Sequence, residues 1–230
     1  MKLPIAWLTI LCLALAAIPA WAQRCSYYSY WCYDNGPING NTDAWTINDG
    51  YIVSDTFTAG YARYGPDQVS GFSFGVWELS GDTMTSVDWS ITSGENSGMT
   101  FGSGTATKSD GTLTDAFIST NWYGFDIDLI AVSGLSVNVT GGTTYWLNLQ
   151  NAVVTNGDSV YWDENSGAFC GGLNGTGQGC PSQASESEVG TIPSEAFTVQ
   201  GALYTPEPSS IVLFGSGVLG LAGVLRRKLF

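Results

Sequence analysis

The strongest constraint on this chain is a two-residue rhythm. Phe72, Phe74 and Val76 fall on one side of an extended segment, as do Val87, Trp89 and Ile91. Phe125, Ile127 and Leu129 repeat the pattern, and so do Tyr145, Leu147 and Leu149. Successive side chains of a strand point to opposite faces, so this alternation describes a sheet with one buried side. Thr and Ser occupy many of the intervening positions and suit the solvated side. No segment between the two ends keeps a helical period for three turns. The runs predicted as strands are Ile52–Ala59, Val69–Leu79, Val87–Ser93, Thr105–Lys108, Leu113–Ser119, Gly124–Val132, Leu135–Thr140, Thr144–Val154, Val160–Asp163 and Ala196–Leu203, with Gly, Asn, Asp and Ser turns between them. Many short strands separated by turn signals predict an all-β domain, an antiparallel two-sheet sandwich that is jelly-roll-like. Gly167 to Ser187 is poor in apolar residues and reads as a long exposed loop.

The two ends have a different logic. Lys2, the apolar stretch Ile5–Ile18 and Ala20-Trp21-Ala22 form a secretory signal peptide over residues 1–22, with cleavage before Gln23. Residues 23–44 are crowded with Tyr, Trp, Asn and Cys and read as a disulfide-held cap; residues 45–204 hold the sandwich. Residues 205–230 form a tail: Pro206-Glu207-Pro208, seventeen uncharged residues from Ser209 to Leu225, then Arg226, Arg227 and Lys228. As a helix the uncharged run reaches ~26 Å, short for a ~30 Å hydrocarbon core but within the range that spans it. The basic end belongs on the cytoplasmic side, which places the preceding domain outside the membrane. Gly215, Gly217 and Gly220 spell a dinucleotide-type glycine pattern, but only ten residues follow, too few for the βαβ unit it needs.

Export makes the cysteines a disulfide framework. Cys25, Cys32, Cys170 and Cys180 survive cleavage, an even number with no zinc-like spacing. Cys25–Cys32 and Cys170–Cys180 are the preferred local pairs, and a cross-pairing between the two regions stays open. The formal net charge is −13, and between the two ends only Arg24, Arg63 and Lys108 are basic. Such a surface repels phosphate backbones, which argues against nucleic acid as a partner.

In its order of motif, span and basic end, the tail resembles the PEP-CTERM sorting signal. The resemblance rests on Pro206, Glu207, Pro208, Arg226, Arg227 and Lys228 and covers about a tenth of the chain. It implies recognition and processing by exosortase, a membrane-embedded protease, from an inner-membrane-anchored precursor. Delivery to the cell surface or the exopolysaccharide matrix of a biofilm would follow. Gly71-Phe72-Ser73-Phe74-Gly75-Val76-Trp77, Thr143–Asn151, Val160–Asp163 and Ile192–Phe197 look like segments of the β-rich ectodomains found in that family, a likeness that implies no activity.

The chemistry available to the domain is narrow. The chain has no histidine, which removes Ser-His-Asp and Cys-His catalysis and histidine-bound metals. Asp126 and Asp128 share one side of a strand with Cα atoms ~6.6 Å apart. They suit a hydrated outer face or a Ca²⁺ site better than a glycosidase pair, whose acids come from separate strands around a groove. Asp163, in the turn Asp163-Glu164-Asn165-Ser166-Gly167, is a further oxygen donor for Ca²⁺. Tyr30, Trp31, Trp122, Trp146 and Trp162 are the candidate carbohydrate contacts, set against core packing as the alternative use of such rings. The sequence thus reads as a non-enzymatic surface or matrix component with no obligatory cofactor. A carbohydrate-binding module, with or without Ca²⁺, is the alternative, and a glycoside hydrolase the remote one.

Overall fold

The computed structural model describes residues 31–61, 67–165 and 183–201. The signal peptide, the tail with its apolar span, Tyr30, Cys25, Cys170 and Cys180 lie outside the described residues. Among the described residues there is no helix long and apolar enough to cross a membrane. The chain forms β1 (Cys32–Asp34), β2 (Ala44–Thr46), β3 (Ile52–Thr58), β4 (Gln68–Leu79), β5 (Met84–Gly94), β6 (Ser97–Thr107) and β7 (Leu113–Thr120). It continues with β8 (Phe125–Asn138), β9 (Thr144–Val154), β10 (Tyr161–Asp163), β11 (Ala184–Glu186), β12 (Gly190–Ile192) and β13 (Phe197–Gly201).

These strands build two antiparallel sheets. In the first, β4 is the spine. One edge of β4 pairs with β8 along its length, and β8 pairs in turn with β7. The other edge is shared: β13 runs beside Gly71–Phe74 and carries β1, while β10 runs beside Val76 and Trp77 and carries β2. The second sheet has the order β12-β11-β3-β9-β5-β6. Only the β5–β6, β7–β8 and β11–β12 connections stay within one sheet as hairpins. The remaining connections beyond β3 carry the chain across to the other sheet.

The alternation read in the sequence packs the space between the sheets. Phe72, Phe74 and Val76 face Val87, Trp89, Ile91, Tyr145, Leu147 and Leu149 in one continuous apolar core. Rings from opposite sheets meet edge-on: Tyr33 with Phe57 at 6.1 Å, and Phe72 with Trp89 at 6.1 Å. Such pairs add to the area term that dominates burial.

Four features depart from the expectations. The runs Gly124–Val132 and Leu135–Thr140 are one strand, β8, because an irregularity opposite Val69 and Gly71 absorbs Gly134 at φ +77° and lets pairing resume. β6 begins at Ser97 rather than Thr105; its Gly- and Ser-rich first half is mostly exposed and is held by its ladder to β5. Ser185 and its neighbours, read as exposed loop, form β11, all three residues buried against β3. The N-terminal segment does more than cap: Trp31 and Tyr33 enter the core and β1 zips onto β13, while the residues after it fold over the outer side of the first sheet. There Ile38 sits against Gly75, where a Cβ would lie 2.5 Å from its Cγ2, so only glycine fits on β4 at that point.

One facing assignment reverses. Ile130 and Val132 of β8 belong to the core, so Asp128, in phase with them, points between the sheets and is buried. Ile127 is buried too, but from the other side, by the covering segment at Gly40. A strand with both faces covered defeats the assumption that one apolar face marks the core.

Candidate functional site

The β7–β8 hairpin tip projects the most exposed aromatic ring of the described residues. Asn121 builds the tip: its side-chain oxygen accepts the backbone N–H groups of Tyr123 and Phe125 at 3.0 Å, and its own backbone N–H donates to the Phe125 carbonyl at 2.9 Å. Gly124 closes the turn at φ +84°, a conformation costly for a residue with a Cβ. The result holds Trp122 outward, 89% exposed, with Tyr123 beside it at 67%.

The ring of Tyr123 is not loose. It stacks on Trp77 of β4, with centroids 5.7 Å apart and planes 23° from parallel. Trp77 also meets Phe125, which meets Tyr161, so an aromatic belt crosses the outer side of the first sheet. Buried Trp77 donates its indole N–H to Asp163 Oδ1 at 2.7 Å. Asp163 Oδ2 accepts the amides of Asn39 and Gly40 at 3.0 and 3.3 Å. Burial pushes the Asp163 carboxyl up, and these three donors pull it back. Asp163, expected among oxygen donors for Ca²⁺, therefore spends both oxygens pinning the covering segment to the sheet.

That pin completes a groove. Asn39 and Asn41 from the covering segment stand opposite Ser119, Thr120, Asn121 and Trp122, around an open space of ≈ 460 Å³. Amides, hydroxyls and one exposed indole face are a lining that can hydrogen-bond a ring of hydroxyls while stacking against its apolar side. Of the other candidate contacts, Trp31 and Trp162 are buried in the core and withdrawn from any ligand in solvent, and Trp146 on β9 is half-buried away from this groove. Asn39, Asn41, Ser119 and Thr120 carried no sequence signal, because polar loop residues are common and only the pin at Asp163 brings them together.

Behind the same hairpin, on the inner side of the first sheet, three carboxylates converge. Glu78 of β4, Asp115 of β7 and Asp128 of β8 each bring one oxygen within 4.8 Å of the other two. Asp126, expected to pair with Asp128, accepts a hydrogen bond from Thr120 at 2.9 Å and adds its negative charge to the neighbourhood of Asp128. Burial, then the negative neighbours Asp115, Asp128 and Asp82, push Glu78 up to about 8. Burial and Asp115 push Asp128 up to about 7. Glu78 was legible in principle: it continues the core-facing phase of Phe72, Phe74 and Val76, where a carboxylate has no reason to be for packing.

A second acidic centre lies deeper. Glu195, just before β13, is fully buried and its carboxyl oxygens have no hydrogen-bond partner. Burial first, then Asp55, Glu164, Asp163 and Asp43, hold it well above the ordinary range. Around it Asn35 donates to the Glu195 carbonyl at 2.7 Å, Asp55 accepts the Glu195 amide at 2.7 Å, and Asn165 donates to the Asn35 carbonyl at 2.7 Å. This lattice joins the ends of β1, β10 and β13 to β3.

Comparison with known proteins adds one finding. A model of the PEP-CTERM protein-sorting motif matches residues 205–228, so the chain carries that motif over the Pro206-Glu207-Pro208 signature, the apolar run and the basic end. No curated protein and no solved structure matches the chain.

Proposed function

We propose that this protein is an exported component of the cell surface or exopolysaccharide matrix, whose sandwich works by binding and presentation rather than catalysis. The sorting motif at 205–228 carries this reading. The signal peptide of residues 1–22 starts export, Ser209–Leu225 holds the precursor in the inner membrane, and an exosortase-type protease processes the tail. The acidic pair or trio a hydrolase would need is in the wrong place for one: Glu78 and Asp128 face the core, on the other side of the sheet from the groove. The remaining cysteines, Cys25, Cys32, Cys170 and Cys180, act in this reading as staples of an extracytoplasmic domain. The strand orders β1-β13-β4-β8 and β3-β9-β5-β6, crossed repeatedly by the chain, support a jelly-roll-like sandwich with added edge strands. Mass measurement of the protein recovered from the surface of the producing cell tests the sorting. A form beginning at Gln23 and ending near Pro208 is expected; an intact C-terminus would overturn processing.

The groove favours a second, compatible reading, a carbohydrate-binding module centred on Trp122. Sugar rings present apolar faces to aromatic side chains and hydroxyls to amides, and the groove offers both. On an array of bacterial exopolysaccharides, Trp122→Ala is expected to weaken binding about tenfold or more, since exposed tryptophans at the centre of a contact carry much of its energy. Thermal unfolding of the variant should be unchanged. Binding that survives the substitution, or no binding by the parent protein, would remove this reading.

A further inference from the structure

We propose that Glu78, Asp115 and Asp128 bind a divalent cation of the calcium class, lodged between the two sheets beside the β7–β8 hairpin. The sheet itself creates the site. Glu78 lies opposite Asp126, and Asp128 opposite Val76, so Glu78 and Asp128 are diagonal neighbours across β4 and β8. Asp115 lies opposite Ile130, one diagonal step further on β7. Side chains on such a diagonal lie within reach of one another on one face. An ion with oxygen ligands at 2.3–2.6 Å touches oxygens at the separations found here.

The unpartnered atoms point the same way. Glu78 is 0% exposed, and neither of its carboxyl oxygens has a hydrogen-bond partner. Asp128 Oδ1 is likewise buried without one. A buried carboxylate left so is costly unless a positive charge meets it or a proton neutralises it. Asp82 adds a fourth carboxyl beside Glu78: its Oδ1 is used by Thr155 and the Asn156 amide, while its Oδ2 is buried without a partner. Lys108 draws Glu78, Asp115 and Asp128 downward, less strongly than burial raises them. Asp115 is half-buried and offers the way in from solvent; its Oδ2 accepts the Met84 amide at 2.6 Å, which fixes its direction. An all-oxygen set with no imidazole or thiolate selects a hard cation over zinc or copper.

The site does not depend on the sorting or carbohydrate readings. Its test uses the full chain in detergent, stripped with EDTA at pH 7.5 and titrated with CaCl₂ and, separately, MgCl₂. Calcium is expected to bind with a saturable heat by calorimetry. It should raise the thermal midpoint by about 5 °C or more at a hundredfold excess over Kd. Magnesium should do much less. Asp115→Asn, at the open side of the site, should weaken calcium binding about tenfold or more without loss of folding. Glu78→Gln should remove the calcium response while leaving a cooperative transition. Absence of heat and of any midpoint shift in the parent chain would overturn the proposal. So would an equal calcium response in both variants, which would place the ion elsewhere.

Discussion

In EDTA, the protein is expected to lose stability steadily as pH rises from about 4.5 to 8, and Glu195→Gln to flatten that decline. Glu195 has its folded-state pKa raised well above 4.5 by burial and by Asp55, Glu164, Asp163 and Asp43. Glu78, facing Asp115, Asp128, Asp126, Asp82 and Lys108, is raised to about 8, and Asp128 to about 7. In this window the unfolded chain has released these protons while the folded chain keeps them. The folded state therefore binds more protons, and the slope of stability against pH is negative. Each retained proton is worth about 1.4 kcal/mol per pH unit, or about 3–5 °C in the midpoint of a domain this size. The favourable contribution is whole below the unfolded pKa and is gone above the folded one. Glutamine at 195 keeps the shape and removes the titration, so parent and variant should coincide near pH 4 and diverge by pH 8, the variant being the more stable. Melting curves across pH test this; parallel parent and variant profiles would refute the protonated Glu195.

Trp162→Ala should cost about 3–5 kcal/mol, the range for deleting a large buried ring. Trp162 is fully buried on β10 and meets Phe74 at 5.8 Å and Phe197 at 5.5 Å, both edge-on. Its indole N–H donates to the Ala196 carbonyl at 3.2 Å, so truncation removes a donor as well as volume. Three strands meet at this ring, β4, β10 and β13, which limits how far the cavity can close. A midpoint fall of about 10 °C or more follows. Trp122→Ala is the internal control, within about 0.5 kcal/mol of the parent because its ring packs against little. Equal denaturant midpoints for the two alanine variants would contradict this account of the core.

Much of the sandwich was legible because β5 and β9 leave one face wetter than the other, and β4, though covered on both faces, sets the small residues Ser73 and Gly75 between Phe72, Phe74 and Val76. Phe72, Trp89 and Leu147 announce the core by spacing alone. β8 was harder: Ile127 is covered by the N-terminal segment and Ile130 by the second sheet, so its apolar residues fall in both phases. β6 was hidden for the opposite reason, since its Ser and Gly residues are mostly exposed and give no apolar period. β1, β2 and β11 have three residues each, too few for any period. Of the groove, only Trp122 was visible; Asn39 and Asn41 reach it through a buried aspartate 120 or so residues downstream. Of the acid trio, Asp128 was singled out for its nearness to Asp126. Its actual neighbours, Glu78 and Asp115, come from other strands, a relation fixed by register and invisible in local spacing.

The pairing along β4 also sets which end of that strand carries the exposed indole. Gly201 lies opposite Val69 at one end of that strand, whereas Leu79, at the other, lies opposite Phe125 beside the Trp122 tip. At ~3.3 Å per residue the two ends are ~33 Å apart. Were the domain tethered through the segment following Gly201, its indole would stand at the end of β4 away from the tether.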